Sequence, residues 1–354
     1  MTDILHRNKA TIISISSYTG NSSDNDGRGV FGYRSDNFYK NELSILSKSS
    51  WYRGELTNGT SINWTNNINN LPSLRTFQFK RVKKFGGGDV FLKTYNNLTL
   101  DSSLSFYVTS GSGRFADTGN KMFGIGEIPN AHYYQGFIGE AIVFASALND
   151  EELNRVHSNL SIKYGQPLRS VSNTVNYKAS NGANIWQADS KYQNNIIGIG
   201  RDDISLLNQK QSHQMDDVVR LYHDKIHTTN QENNGTFSKD RSFVLMGSNE
   251  VKLHATDASN TEMFAGLVYS TSCHLFSVIE RNWKVQPTNM TDRFNIDIRL
   301  SDSVKLHQIN PAHLRLVVDN DNDLSNGWIG CYGINDDGLN IVYANRLFIS
   351  QTPL

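Results

Sequence analysis

The chain has 354 residues, 34 Lys+Arg against 34 Asp+Glu and a formal net charge of +0, and it contains no run approaching the roughly 20 apolar residues of a membrane span. That balance leaves no overall field to draw nucleic acid or an anionic membrane, and no segment suited to membrane insertion as a helix. The length exceeds one ordinary domain, and a hydrophobic fraction of 38% with many Asn, Ser and Thr fits an extracellular β protein with polar loops.

From Ala10 to Phe123, the runs TIISIS, FGYRS, NELSIL, WYRGELTNGTSINW, LRTFQFKRV, VFLKTY and SLSFYVTS alternate with the turn clusters NSSDNDGRG, GGGD and GSG. Such punctuation predicts a sandwich or barrel. Phe77, Phe79 and Val82 beside Arg75, Lys80 and Arg81 predict a strand with one wet face, and Gly86 to Gly88 allow the chain to reverse. No secretory apolar region follows Met1, so an exported chain of this sequence is expected to be part of a larger polypeptide, or a virion protein that needs no signal.

GFIGEAIVF, residues 136–144, predicts a buried strand, with Ile138, Ile142 and Phe144 sharing a face with Glu140, and Phe137 and Val143 on the other. Asn149 stands three residues before Glu152, as an N-cap and its reciprocal partner do. Leu153, Val156, Leu160 and Tyr164 follow at helical spacing, predicting one inward stripe, with Glu151, Asn154, Arg155 and Lys163 facing water. Gly165 and Pro167 stop the helix, which divides the chain into expected domains 1–166 and 167–354.

After Pro167 the strand-like runs are VNYKA, ANIW, IIGIG, VVRLYH, SFVLMG, AGLVYS, HLFSVIERNWKV, FNIDIRL, LRLVVD, GWIGCYG and IVYANRLFIS. ENNG at Glu232 and NDDG at Asn335 read as hairpin tips. Fold class is therefore mainly β: two β-sandwich domains with one short helix at their junction.

Catalytic signatures are missing. The chain lacks the E-x-D-x-E or E-x-D-x-x-E strand that would place an acid and a nucleophile on one face, and it lacks G-x-S-x-G, H-E-x-x-H and the phosphate-binding loop. His223 and His227 have zinc-ligand spacing but no glutamate base and no evident third ligand. Asp202 and Asp203 lie beside Arg201, which favours a structural ion pair over a binding site. Asp319, Asp321 and Asp323 alternate after LRLVV, where hard oxygen ligands could converge on Ca²⁺ or form a solvated turn; Asp24 and Asp26 are a weaker pair of the same kind. Cys273 and Cys331 could bond, or be two separate buried residues. Trp51, Tyr52, Trp64, Tyr133 and Tyr134 near turns are candidate platforms for sugar rings, with core or edge packing as the alternative, whereas Trp186 and Trp283 are assigned to the core.

The strand of form G-x-I-x-E-x-I-x-F followed by a helix ending K-Y-G at Gly165 resembles the end of a bacterial laminin-G-like (concanavalin A-like) sandwich. TVNYKASNGANIWQAD, NNIIGIGRDDISLLNQKQS, RSFVLMGSN, ERNWKVQ and LRLVVDNDNDLSNG are similar to the β-rich domain of unknown function that follows such sandwiches in large bacterial surface proteins. The likeness covers most of Gly136 to Gly327. It implies a jelly-roll sandwich, then a second sandwich, in a non-catalytic module of a surface or secreted adhesin that binds carbohydrate or a cell-surface glycoconjugate. A virion tail-fibre receptor-binding protein and a polysaccharide-cleaving enzyme of the same fold are the alternatives.

Overall fold

The computed structural model describes residues 8–20, 29–35, 42–53, 60–65, 71–109, 121–127, 133–168, 175–249, 277–298, 314–319, 330–333 and 346–351. The described residues are mainly β, with antiparallel sheets and one helix. The chain separates into two compact units, Met1–His157 with Arg169–Val171, and Ser158–Leu168 with Ser172–Leu354.

The first unit holds β1 (Lys9–Tyr18), β2 (Gly29–Ser35), β3 (Glu42–Leu46), β4 (Ser49–Arg53), β5 (Thr60–Asn63), β6 (Ser73–Lys84), β7 (Gly87–Asn96), β8 (Thr99–Thr109), β9 (Lys121–Ile125) and β10 (Gly136–Phe144). One five-stranded sheet runs β10-β1-β6-β7-β8 and the other β5-β4-β3-β2-β9. Strand alternation points Ile12, Phe77, Phe79, Val90 and Leu92 of the first sheet at Phe31, Tyr33, Leu43, Ile45 and Tyr52 of the second, closing one apolar core. Tyr52 stacks on Phe79 at 4.7 Å, a contact worth about 1 kcal/mol beyond its burial.

The edge strand β10 departs from simple alternation. Ile15 pairs with Glu140 but Ser16 with Ile138, so Gly139 is an extra residue, a β-bulge. The bulge reverses parity, and Ile138 shares the core face with Ala141 and Val143 instead of Ile142. Phe137, expected inside, lies 74% exposed.

The helix α1 (Asp150–Tyr164) starts at the predicted cap: Glu152 N–H donates to Asn149 Oδ1 at 2.9 Å and Asn149 N–H to Glu152 Oε2 at 2.8 Å. Gly165 ends it at φ 63. Its buried residues are Leu153, His157, Ser158, Leu160, Ser161 and Ile162, while Val156 and Tyr164 are half-buried, so the inward stripe is turned from the expected one. Polar partners explain the rotation. The outer face of β1 and β6 presents Thr11, Thr76 and Gln78: Thr76 Oγ1 lies 2.7 Å from His157 Nε2, and Gln78 donates to the Leu148 carbonyl. Further along, Ser158 Oγ accepts from Lys178 N–H and Ser161 bonds Tyr177. A helix with hydrogen-bonding groups on that face gains by burying them against matched partners.

The second unit holds β11 (Tyr177–Lys178), β12 (Asn184–Trp186), β13 (Asn194–Asp202), β14 (Leu207–Gln209), β15 (Gln211–His213), β16 (Val219–Tyr222), β17 (Ser242–Ser248), β18 (Ser277–Thr288), β19 (Asn295–Ile298), β20 (Leu314–Asp319), β21 (Gly330–Gly333) and β22 (Arg346–Gln351). A seven-stranded sheet runs β14-β13-β17-β18-β22-β20-β21, beside a three-stranded sheet β15-β16-β19 and the pair β11-β12. Trp186 and Trp283 are fully buried, as expected. Arg281 of β18, itself buried, reaches Asp216 at 2.6 Å and donates to Gln214 at 3.0 Å, tying the large sheet to the turn between β15 and β16. ENNG proves not to be a hairpin tip, because β16 and β17 do not pair. It belongs to a loop hung on buried Asn233, whose amide donates to the carbonyls of His223 and Lys225.

Candidate functional site

The five candidate sugar-platform rings part company. Tyr52 lies in the core, where burial pushes its hydroxyl above the ordinary value against the opposing charge of Arg81. Trp64 is 4% exposed; its Nε1 donates to the Leu46 carbonyl at 3.0 Å, and the Arg75 guanidinium stacks 4.7 Å from its ring. Arg75 is buried too, which lowers its pKa to about 10 while Asp101 opposes the fall. Neither Tyr52 nor Trp64 offers a ring face to a ligand, so both are corrected to core. Trp51 occupies β4, paired with Ser44 and Ser61.

Tyr133 and Tyr134 lie where the edges of the two sheets approach. Gly126, at φ 76, ends β9, and its N–H donates to the Val30 carbonyl at 2.8 Å. The returning chain is caught there: Tyr134 N–H donates to the Gly126 carbonyl at 2.7 Å, and Thr19 N–H to the Gln135 carbonyl at 2.9 Å. Gly136, at φ 158, then leads into β10, at a spot where a Cβ would come within 2.0 Å of the Ser17 carbonyl oxygen. Only glycine fits both the close approach and the angle.

Alternation along this pinned stretch sorts the side chains. Tyr134 turns inward onto the core, with its ring 5.7 Å from that of Tyr18, and burial raises its pKa to about 12 although Ser16 opposes the rise. Tyr133, at 68% exposed, faces water with Gln135 and Phe137. Ile125, at 65% on the last residue of β9, and Glu127, two residues past the strand, are exposed on either side of Gly126. Two rings about four residues apart, roughly 13 Å along an extended chain, thus flank an amide, with a carboxylate close by. Exposed ring faces can stack on the C–H faces of sugars, and Gln135 and Glu127 can bond hydroxyls. Sequence reading found Tyr133 but missed Phe137, which the apparent alternation of β10 assigned to a buried face.

The remaining candidates are structural or lie elsewhere. Arg201 donates to both Asp203 oxygens, at 2.6 and 2.8 Å, and buried Asp202 accepts from Ser180 N–H and Oγ, so these carboxylates brace the β13–β14 turn. The His223 ring packs edge-on against Phe237, and the His227 backbone is clamped by the Gln211 amide. Asp319 closes β20 and Cys331 lies in β21, whereas Asp321, Asp323, Asp24, Asp26, Cys273, AGLVYS and NDDG fall outside the described residues. Among the described residues no group of three or more His, Cys, Asp or Glu could hold a metal ion, and no helix is long and apolar enough to cross a membrane.

A family model described as "Domain of unknown function (DUF8202)" matches residues 152–345, more than half of the chain. The chain belongs to the DUF8202 family. The match begins inside α1 and takes in most of the second unit, so the strands of the first unit precede the DUF8202 segment in the sequence. No curated protein matches the sequence. Among solved structures, the chain is similar to the binding domain of botulinum neurotoxin serotype D/C, at 13% identity over 98% of this chain and 79% of that one, TM-score 0.33. The binding domain of botulinum neurotoxin DC in complex with rat synaptotagmin II gives 12%, 98%, 79% and 0.33. The binding domain of Paraclostridial mosquitocidal protein 1 gives 12%, 97%, 83% and 0.31. At such TM-scores the likeness carries no argument about the function of the DUF8202 chain.

Proposed function

We propose that the protein is a non-catalytic binding module of a bacterial surface or secreted adhesin, and that it recognises carbohydrate or a cell-surface glycoconjugate through the edge formed by Ile125, Glu127, Tyr133, Gln135 and Phe137. The observation that carries this reading is the backbone at Tyr134 and Gln135, pinned by hydrogen bonds to Gly126 and Thr19, beside which Tyr133 and Phe137 stand in water although both are large apolar rings. Fixing exposed rings in this way lowers the entropy lost when a ligand binds. The laminin-G-like reading of the sandwich, from the strand and helix around Gly136 to Gly165, supports the same function, and the missing carboxylate strand motif supports a binding role over cleavage.

A glycan array probed with the full chain tests this. Binding to a defined set of glycans, lost in Tyr133→Ala and Phe137→Ala while the melting temperature stays the same, is the expected result. Binding that survives both substitutions would remove the edge from the mechanism, and steady release of reducing ends would replace binding with catalysis. The proposal extends to Ca²⁺ at Asp319, Asp321 and Asp323: calcium is expected to raise the melting temperature over chelator, and Asp321→Ala to abolish the increment.

A further inference from the structure

We propose that the β6–β7 hairpin, on a different part of the first unit from the aromatic edge, is a docking tip for anionic lipid bilayers. Lys84 pairs with Gly87, so the hairpin turns in two residues, Phe85 and Gly86, with Gly86 at φ 73. Phe85 is 105% exposed, as open to solvent as an isolated side chain. The turn is braced by Tyr107 Oη, which donates to the Phe85 carbonyl at 3.5 Å.

Register places more apolar surface directly behind the tip. Val82, Asp89 and Tyr107 form one cross-strand row, and Lys80, Phe91 and Ser105 the next, on the same face; Val82, Phe91 and Tyr107 are all exposed. Lys80, Lys83 and Lys84 are exposed around them, with Lys84 paired to Asp89. Residues 80–89 contain four cations, Arg81 included, against the single carboxylate of Asp89. The neutrality of the whole chain is a sum that conceals this local excess.

The arrangement matches the two layers of a bilayer surface. A phenylalanine in water at the apex does nothing for the fold and gains free energy only when something apolar receives it. The lysines flank the ring instead of extending beyond it, so Phe85 meets a surface first and their ammonium groups then stand at headgroup level. An acidic polysaccharide would use the lysines equally well but gives an apolar apex no role. Charge complementarity therefore selects anionic lipid, and this is interfacial docking, which needs no spanning segment.

The test is co-sedimentation of the full chain with phosphatidylcholine vesicles, with and without phosphatidylserine. Binding is expected only to vesicles with phosphatidylserine and is expected to weaken as salt is raised. Phe85→Ser should lower it roughly ten- to hundredfold, and Lys80→Glu with Lys83→Glu by at least roughly fivefold per site, all at an unchanged melting temperature. In Phe85→Trp, emission should shift to the blue on anionic vesicles, above the signal of the five native tryptophans. Failure of the folded chain to bind phosphatidylserine vesicles overturns the proposal. So does equal capture by dextran sulfate that ignores Phe85→Ser, which would make the hairpin a polyanion surface.

Discussion

Trp64 and Tyr133 are both aromatic and both lie just outside a strand, Trp64 after β5 and Tyr133 before β10, yet one is sealed in the sandwich and the other faces water. The difference lies in what each ring is given. Trp64 finds a carbonyl for its indole N–H and a buried guanidinium for its face, so burial satisfies every group it carries. Tyr133 precedes Tyr134 and Gln135, whose backbone hydrogen bonds to Gly126 and Thr19 pin the chain ahead of β10, and alternation gives the inward position to Tyr134. An aromatic near a turn is therefore sorted by the parity of its backbone, not by its neighbours in sequence.

The largest effect expected from the buried side involves His157, which is fully buried, with a pKa lowered by burial from 6.5 to about 3 although the Asn97 backbone opposes the fall. The unfolded state takes up the proton first, so the stability contributed by neutral His157 is complete above pH 6.5 and is lost as pH falls toward 3. The loss amounts to about 5 kcal/mol at most. Denaturant melts across that range should show it, and His157→Gln should flatten the profile.

Trp64→Ala should cost about 3–5 kcal/mol, because it leaves a cavity and strips Arg75 of its stacking partner. A cost under about 1 kcal/mol would mean that the ring is not core. Gly126→Val, a β-branched residue forced to φ 76, should cost about 1–3 kcal/mol and also displace the Tyr134 N–H bond, weakening ligand binding without touching a ring. Tyr133→Ala should change stability by no more than about 0.5 kcal/mol, since its ring is mostly in water. Equal costs for Tyr133→Ala and Trp64→Ala would erase the distinction between the two sites.

Much of the fold was legible because it rests on local chemistry. The strands of the sandwich, the Asn149–Glu152 box and the Gly165 stop all follow from period and capping within a few residues. Strands β14 and β15, three residues each, were not legible, since so short a run has no period. The bulge at Gly139 was hidden because an extra residue is defined only against the partner strand, and it carried Phe137 to the wrong face. His157 was read past for a similar reason: a histidine on a helix looks solvent-facing until Thr76, 81 residues away, supplies its partner.

Titration of a glycan identified on the array tests most directly whether the edge carrying Tyr133 and Phe137 is the ligand site. Calorimetry should give saturable binding to the parent chain, and none to Tyr133→Ala with Phe137→Ala at the same melting temperature. Unchanged affinity in that folded double variant would contradict the account.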